Sequence, residues 1–262
     1  MTTEPENLRR FCRQTAFEPL GLDGQRALSR SRVLIVGVGG LGSWNAELLA
    51  RAGVGMLRLV DDDRVELANV HRQALYDELD AASSVPKVQA AATRLRKING
   101  DVRVEPVQAR LGKDNVAELA ASMDLVLDGS DNFVARFIIN DYCVRQALPW
   151  ILAGVIGAEA QTMTILPGGR PCLRCIYDQP APPCVDPSCR AAGVLGPAVS
   201  AIASIQALEA IKILSGHAES ASPYLTKMDL WANTFQRIDA RAACAAVDCP
   251  CCRRGRFEFL EG

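Results

Sequence analysis

Short apolar runs alternate with amphipathic stretches through the first half of the chain. Each run has the length of a buried strand, and each stretch between runs carries apolar residues at helical spacing. The predicted strands span residues 33–37, 56–60, 102–107 and 124–128, and the predicted helices span 44–51, 87–98 and 133–146. Strands separated by helices form βαβ units, so we predict a Rossmann-like α/β fold whose sheet is mainly parallel.

The pattern changes after Pro149. It predicts two strands, a Cys- and Pro-rich crossover, a helix and a third strand, at 149–155, 160–169, 171–189, 198–214 and 224–231. No internal repeat or low-complexity linker divides the sequence. We therefore predict one domain over 1–262, in which 1–148 carries the βαβ units and 149–262 forms a β-rich extension.

A glycine-rich turn directly follows the first predicted strand. The run VLIVG continues into GVGGLG, where Gly37, Gly39, Gly40 and Gly42 lack a Cβ, so their backbone can approach a phosphate at the start of a helix. Asp61 lies at the end of the second predicted strand, where a ribose-binding carboxylate is expected in such folds. The turn predicts a nucleotide site, but it does not say which nucleotide binds.

The polar residues in the other strand-end loops bear on the choice between NAD and ATP. A pyrophosphate is bound well by a helix N-terminus alone, whereas a triphosphate with Mg²⁺ calls for Arg, Lys and a metal-binding carboxylate. All three types occur in loops or helix starts that should converge, together with amide side chains: Asn69, Arg72, Gln73, Lys87, Asp131 and Asn132. This set favours ATP.

Composition and charge exclude several other classes. The chain has 262 residues, of which 49% are hydrophobic, and a formal net charge of -1, so nothing points to nucleic acid as the main ligand. We expect no membrane span and no secretory signal, hence a cytoplasmic protein. With 2 histidines in the chain, a histidine-based nucleophilic triad is not expected.

Two CxxC pairs lie far apart in the sequence. Cys172 and Cys175 follow the Pro-Gly-Gly turn, and Cys249 and Cys252 lie near the end of the chain. Four thiolates from two such pairs complete a tetrahedral site, so we predict a structural Zn²⁺. Cys251 lies within the second pair and could replace either neighbour as a ligand, although the spacing favours Cys249 with Cys252.

Six segments of the chain carry a family resemblance. They are RFCRQTAF, GVGGLG, LVDDDRVELANVHRQ, VPK, LDGSDN with Arg136 and Asn140, and CRAAGVLGP. In this order they resemble the ThiF/MoeB/HesA family, bacterial relatives of ubiquitin-activating enzymes, over nearly the whole chain. The resemblance implies an enzyme that uses ATP to adenylate the C-terminal glycine of a small ubiquitin-like protein. The zinc arrangement is shared with that family.

The resemblance also implies roles for residues of the glycine turn and the loops beside it. Gly40 and Asp61 would seat the nucleotide, and Asn69, Arg72 and Lys87 would contact it. Residues 1–148 would then be the nucleotide-binding half, and 149–262 the half that binds the carrier, forms the dimer and holds zinc.

Further roles follow from the same resemblance. Asp131 would hold Mg²⁺, and Arg13 would reach the phosphates from the neighbouring subunit of a homodimer. The family keeps an acidic residue near Asp63, and we include Asp63, Gln73 and Asn132 among the residues expected at the nucleotide.

A further pair of cysteines lies in the crossover. Cys189 directly precedes RAAGV, where ThiF-like relatives place a cysteine that forms a covalent link with the partner. A thiolate there could take the activated acyl group or receive sulfur. Sequence alone does not show that Cys189 or Cys184 is used. Cys12, Cys143 and Cys244 are expected to be apolar fillers.

These observations lead to one main hypothesis and two alternatives. The main one is a homodimeric adenylyltransferase that activates a sulfur carrier ending in Gly-Gly, for molybdopterin or thiamine synthesis or for thiolation. A sulfurtransferase or cysteine desulfurase is a candidate partner. The alternatives are an NAD-dependent oxidoreductase using the same turn and a non-catalytic zinc-stabilised scaffold. The sequence does not identify the carrier.

Overall fold

The computed structural model describes residues 6–168, 171–177, 179–180 and 193–261. The strands in this part of the chain are β1 Arg32–Val36, β2 Met56–Val60, β3 Arg103–Val107, β4 Leu125–Asp128, β5 Trp150–Ile156, β6 Glu159–Ile165, β7 Tyr224–Asp229 and β8 Thr234–Asp239. They form one sheet in the order β3-β2-β1-β4-β5-β6-β7-β8. The first five strands pair in parallel, and β6, β7 and β8 are added antiparallel.

Helices connect the parallel strands and cover the sheet. They are α1 Cys12–Thr15, α2 Gly21–Leu28, α3 Gly40–Ala52, α4 Leu67–Val70, α5 Glu78–Ala82, α6 Lys87–Ile98, α7 Val116–Leu119, α8 Phe133–Gln146, α9 Gly196–Leu214, α10 Ala240–Ala246 and α11 Glu258–Glu261. Three 3-10 helices span Glu6–Phe11, Leu173–Cys175 and Ala218–Ser220.

The predicted α/β class is confirmed, and the predicted strands of the first half lie within about two residues of the observed ones. The C-terminal extension is part of the same sheet and not a separate unit, because β6 to β8 continue the sheet formed by the parallel strands. No pattern in the sequence predicts β8. All six of its residues are exposed, so it lacks the alternation of buried and exposed positions that identifies a strand.

The core lies on both faces of the parallel strands. The four apolar residues of β1, from Val33 to Val36, are at most 4% exposed, as expected for a strand covered by helices on both sides. One face packs against α8 and the C-terminal segments, with Phe137 and Trp150 fully buried, and the other packs against α3 and α6.

Helix α9 is the most apolar helix described. By length and composition alone it could cross a membrane, but half of its apolar window is buried within the protein. It packs against α3, β5 and β6, and it carries the buried Glu209, which accepts hydrogen bonds from the Ser222 N–H and from Lys212. We therefore interpret α9 as a core helix.

The N-terminal segment docks at the C-terminal end of α3. Helix α3 ends at Gly53, whose φ of 86° suits a left-handed cap, and the Phe11 ring occupies the space where a Cβ of Gly53 would lie. The Gln14 side chain donates to the Ala52 carbonyl at 2.9 Å. Consequently this segment lies at the opposite end of α3 from the glycine turn.

The expectations for the three isolated cysteines have mixed outcomes. Cys143 and Cys244 are buried, as predicted for apolar fillers. Cys12 is exposed, so that prediction was wrong: it lies on the outer side of α1, while Phe11 beside it supplies the packing.

Gly42 offers a direct test of the fold at the glycine turn. A Cβ at this position would lie 1.8 Å from the Gly37 carbonyl oxygen, which is backbone and cannot rotate away. We expect Gly42→Ala to lower the free energy of unfolding by at least about 1–3 kcal/mol, measured by urea denaturation. Gly112→Ala is the matched control, since no atom lies within 4 Å of its added Cβ, and should change stability by less than about 0.5 kcal/mol. Equal stability of the two variants would contradict this packing.

Candidate functional site

The glycine turn follows β1 and is held between the ends of the two strands that flank β1 in the sheet, β2 and β4. The Gly37 N–H donates to the Val60 carbonyl at 2.8 Å, and Gly37 has a φ of 80°, which favours glycine. A Cβ on Gly129, at the end of β4, would lie 2.7 Å from the Gly37 carbonyl oxygen. The loop after β4 therefore packs directly against the turn, which opens into α3 at Gly40.

Asp61 is fixed at the end of β2 beside this turn. Its two carboxylate oxygens accept the Val38 N–H at 2.7 Å and the Asp63 N–H at 2.8 Å. Burial raises the pKa of Asp61, and the positive charge of Lys87 partly offsets that effect. The Tyr76 hydroxyl donates to the Val38 carbonyl at 2.7 Å, so both sides of Val38 are held. The structure thus presents an oriented carboxylate where the sequence predicted one.

Lys87 lies at the first position of α6, directly after Pro86, as predicted. Its side chain is 7% exposed, and its ammonium lies 2.7 Å from a carboxylate oxygen of Asp63, which is 67% exposed. The carboxylate oxygens of Asp61, Asp62 and Asp63 lie within 4.8 Å of one another. The buried ammonium is therefore held by an exposed partner that an anionic ligand could replace.

Two predicted amide residues lie on the same side of the turn. Asn69 is buried and closes a capping box with Glu66 at the start of α4. Gln73 is 3% exposed, and its Nε2 lies 3.7 Å from where a Cβ of Gly39 would stand. The Oε1 atom of Gln73 has no hydrogen-bond partner among the described residues, which is unusual for a buried amide. Gln73 is therefore available to a bound molecule at the turn.

Arg72 has a different environment from Gln73. Its guanidinium donates to the Ala68 carbonyl at 2.7 Å and lies 2.9 Å from His71 Nε2. The backbone carbonyl of Arg72 accepts a hydrogen bond from Trp44. These contacts keep the guanidinium on its own segment, beside a hollow of about 320 Å³. The structure does not bring Arg72 into contact with the glycine turn.

The loop after β4 carries two further predicted residues. Asp131 is exposed in this loop, and Asn132 caps α8 by accepting the Val134 N–H at 2.8 Å. The contacts of Asn132 are those of a helix cap. Its role at the nucleotide stays a prediction.

The sequence analysis assigned no role to the buried pair that shapes this loop. Arg136 Nε donates to Asp128 at 2.9 Å, and its NH2 donates to the carbonyls of Ser130 and Ala153. Burial raises the pKa of Asp128, and Arg136 opposes that rise. Gln206 from α9 holds the Asp128 carbonyl at 2.9 Å. Arg136 was noted in the family motif, but its spacing from Asp128 gave no sign of this pairing.

Of two other predicted catalytic residues, one lies away from the turn and the other lies outside the described residues. Arg13 is exposed on α1, next to Gln14, which bonds to the far end of α3. Cys189 lies outside the described residues, as does Cys184. Their roles remain predictions.

The groups around the turn suit an anionic nucleotide. The N-terminus of the 13-residue helix α3, the oriented Asp61 carboxylate and Gln73 lie at the turn, and the buried ammonium of Lys87 lies beside Asp63 and Asp61. A helix N-terminus and a lysine attract phosphate, while a fixed carboxylate accepts ribose hydroxyls. The residues present therefore fit the predicted ligand class.

The two CxxC pairs meet in a second centre. The sulfur atoms of Cys172, Cys175, Cys249 and Cys252 lie within 4.8 Å of one another, and three of the separations are 3.9, 3.7 and 3.5 Å. A tetrahedral Zn²⁺ site with Zn–S bonds of about 2.3 Å has sulfur–sulfur edges of about 3.8 Å. The four side chains therefore fit the predicted zinc ion.

Mutual hydrogen bonds drive the pKa values of the clustered thiols apart. Hydrogen bonding with Cys172 raises the pKa of Cys175, and hydrogen bonds from Cys172 and Cys175 hold the pKa of Cys252 well below its usual range. A cation at the centre would remove this competition, because all four sulfurs could then be thiolates.

Cys251 occupies a different position from the four clustered thiols. It is 1% exposed, and its sulfur accepts a hydrogen bond from Asn140 Nδ2 at 3.4 Å. Its alternative role as a ligand, left open by the sequence, is not favoured by this geometry.

Comparisons with known proteins identify the family. A family model described as the ThiF family matches residues 11–251, and the chain belongs to this family. The chain is similar to the sulfur carrier protein ThiS adenylyltransferase of Bacillus subtilis, with 40% identity over 96% of this chain and 74% of the relative. It is also similar to the SAMP-activating enzyme E1 of Haloferax volcanii, with 38% identity over 100% of this chain and 94% of the relative.

Two further comparisons extend this result. The sulfur carrier protein adenylyltransferase of Thermus thermophilus is 36% identical over 94% of this chain and 91% of the relative. Among solved structures, that of E. coli MccB with MccA-N7isoASN superimposes with a TM-score of 0.78 over 88% of this chain and 72% of that chain. Its sequence identity is 21%, so this likeness supports the fold alone.

Exchanging Cys251 and Cys252 separately for serine tests the ligand assignment. We expect Cys252→Ser to weaken Zn²⁺ binding more than about 100-fold, a larger loss than changes outside the ligand sphere cause, and Cys251→Ser to leave the affinity within a few fold. The measurement is competition with a colorimetric chelator on the folded full-length protein. A reversed order of the two variants would make Cys251 the ligand.

Proposed function

We propose that this protein is an adenylyltransferase that uses ATP to activate the C-terminal glycine of a small ubiquitin-like sulfur carrier. The observation that carries this proposal is the buried Lys87 ammonium beside the glycine turn and the oriented Asp61 carboxylate. The names of its relatives support it, because those proteins are described as adenylyltransferases or activating enzymes of carrier proteins.

The charge of the site favours ATP over NAD. A buried lysine costs free energy unless an anion accompanies it, and its partner Asp63 is largely exposed to solvent. The phosphates of ATP would supply that anion, whereas the helix N-terminus alone suffices for a dinucleotide. An NAD-dependent oxidoreductase would need neither this lysine nor the exposed carboxylate of Asp131.

The reaction needs no nucleophile from the enzyme. A carboxylate oxygen of the carrier's terminal glycine attacks the α-phosphorus, the bond from that phosphorus to the bridging oxygen breaks, and pyrophosphate leaves. Catalysis then depends on orientation and on neutralising phosphate charge. Asp61 would orient the ribose, with Asn69 and Gln73 beside it, while Lys87 and Arg72 would neutralise charge. Asp131 would hold Mg²⁺, which would supply further neutralisation.

Two of these roles require movement from the positions observed. Lys87 would exchange its contact with Asp63 for the phosphates, and Arg72 would leave Ala68 and His71. Asp63 and His71 have exposed side chains and Ala68 offers a single carbonyl, so these contacts are not costly to replace.

Arg13 supports a homodimeric arrangement. Its neighbour Gln14 bonds to Ala52 at the end of the 13-residue helix α3, whose N-terminus opens from the glycine turn. At about 1.5 Å per residue, the two ends of α3 lie about 20 Å apart. An arginine held at that end does not reach its own turn, so we propose that Arg13 acts at the site of a second copy.

The remaining assignments belong to the same proposal. Residues 149–262 would bind the carrier and form the dimer, and Cys189 would take up the activated acyl group or sulfur from a sulfurtransferase or cysteine desulfurase. The thiols described are not joined in disulfides, in keeping with the proposed cytoplasmic location. Molybdopterin synthesis, thiamine synthesis and thiolation all remain candidate pathways.

Asp131→Ala provides the sharpest test of the activity. We expect this variant to lose ATP–pyrophosphate exchange by at least about 100-fold, because the proposed metal ligand is removed from an exposed position that the fold does not need. The assay contains a ubiquitin-like carrier ending in Gly-Gly, Mg²⁺, ATP and labelled pyrophosphate.

The control is Asp101→Ala, an exposed aspartate in the loop that enters β3 at the opposite end of the sheet. It should exchange label at the wild-type rate. Full exchange by Asp131→Ala would contradict the assignment, and tight NADH binding without exchange in the wild type would favour the oxidoreductase. A wild-type protein that shows no exchange and binds no NADH would favour the non-catalytic scaffold.

A further inference from the structure

Arg174 lies inside the first CxxC loop and is almost completely buried. Its side chain is 3% exposed, and its NH2 forms an ion pair with Glu258 at 2.8 Å. The Nε and NH1 atoms are buried without a hydrogen-bond partner among the described residues. Buried guanidinium donors without acceptors are costly, so their neighbourhood should contain negative charge when the protein is complete.

The cysteine centre would supply that charge. One Zn²⁺ with four thiolates carries a net charge of about −2, and burial of such a centre requires compensation. Arg174 lies between the ligands Cys172 and Cys175 in the chain, and Cys172 and Cys249 are 0% exposed. The two unpartnered nitrogens therefore belong to the loop that carries the first pair of ligands, beside a centre that is itself buried.

The same arginine anchors the C-terminal segment, defined here as residues 257–261. Besides pairing with Glu258, its guanidinium lies 5.3 Å from the centre of the Phe259 ring. Phe259 also packs against Phe137 of α8, with ring centres 4.8 Å apart. The C-terminal segment is thus attached to the core beside Arg174 of the first CxxC loop.

Helix α8 completes the link between the segment and both cysteine pairs. Asn140 accepts the Leu173 N–H at 2.9 Å from the first loop and donates to Cys251 at 3.4 Å in the second. The next residue, Asp141, accepts the Phe259 N–H at 3.1 Å. One turn of α8 therefore holds the two loops and the C-terminal segment together.

We propose that Arg174 compensates the charge of the metal–thiolate centre and at the same time holds the C-terminal segment in place, so that metal binding and docking of the segment reinforce each other. Each favours the same buried position of the guanidinium. Thermodynamic linkage then requires that loosening the segment weakens metal binding by the same factor by which metal loss loosens the segment. This inference depends on the zinc centre and is independent of the adenylation activity.

The test measures Zn²⁺ affinity of the full-length protein by chelator competition. We expect Arg174→Met to weaken affinity by about 10–100-fold, the range typical of groups that support metal ligands. Arg254→Met is the matched control: Arg254 lies near the second pair and is ion-paired with Asp248, but both side chains are exposed. It should weaken affinity by less than about 5-fold.

A second variant tests the link and does not depend on whether Arg174→Met folds. Phe259→Ala removes the ring that packs on Arg174 and Phe137 without changing any residue of either cysteine loop. We expect it to weaken Zn²⁺ affinity by about 5-fold or more and to accelerate hydrogen exchange of residues 257–261 with Zn²⁺ bound, while exchange in β1 is unchanged. Arg174→Met should accelerate exchange in the same segment.

Wild-type Zn²⁺ affinity in Arg174→Met would overturn the charge-compensating role. Wild-type affinity in Phe259→Ala, with the segment loosened, would overturn the link between metal and segment. A wild-type protein that does not bind Zn²⁺ would remove the basis of the inference, whatever its adenylation activity.

Discussion

The close contact between the β1–α3 turn and the loop after β4 is the constraint on which the site depends. Gly37, Gly42 and Gly129 meet with no room for a Cβ, so three backbone segments lie closer together than side chains would allow. This contact brings the N-terminus of α3 and the ends of β1, β2 and β4 to one edge of the sheet. Asp61 and the Lys87 ammonium are positioned relative to that edge.

Electrostatics then determine what this edge can bind. The raised pKa of Asp61 and the burial of Lys87 are unfavourable features of the structure as described, and each is balanced locally, by backbone N–H groups and by Asp63. Ionisable groups with such perturbed environments are common at functional sites. An anionic nucleotide would give Lys87 a partner of higher charge than an exposed aspartate.

The cysteine centre stabilises a different part of the molecule. It joins residues 171–177, at the start of the Cys- and Pro-rich crossover, to the C-terminal residues 249–252, and both segments contain little regular structure. The predicted zinc ligands come from two loops separated by the antiparallel strands β7 and β8 and by α9 and α10. A metal at this centre would therefore close a long loop, for which a crosslink has the largest entropic effect.

Much of this architecture could be predicted from the sequence because its signals are local. Buried parallel strands give continuous apolar runs, and the glycine turn and the CxxC pairs have fixed spacings. The exposed strand β8 has no such pattern, and neither has α11. The pairing of Arg136 with Asp128 and the contacts of Asn140 and Arg174 depend on tertiary contact, which single-sequence patterns do not encode. Arg72 and Arg13 also do not lie at the glycine turn, where a simple convergence of the predicted loops would have placed them.

The most direct test of the central claim, that the glycine turn binds ATP for adenylate transfer, is the intact mass of the carrier. A ubiquitin-like carrier ending in Gly-Gly is incubated with this protein, Mg²⁺ and ATP and analysed by mass spectrometry. For this claim we predict a carrier heavier by one adenylyl group, with pyrophosphate released in equal amount. An unmodified carrier, with ATP either intact or converted to ADP and phosphate, would contradict it.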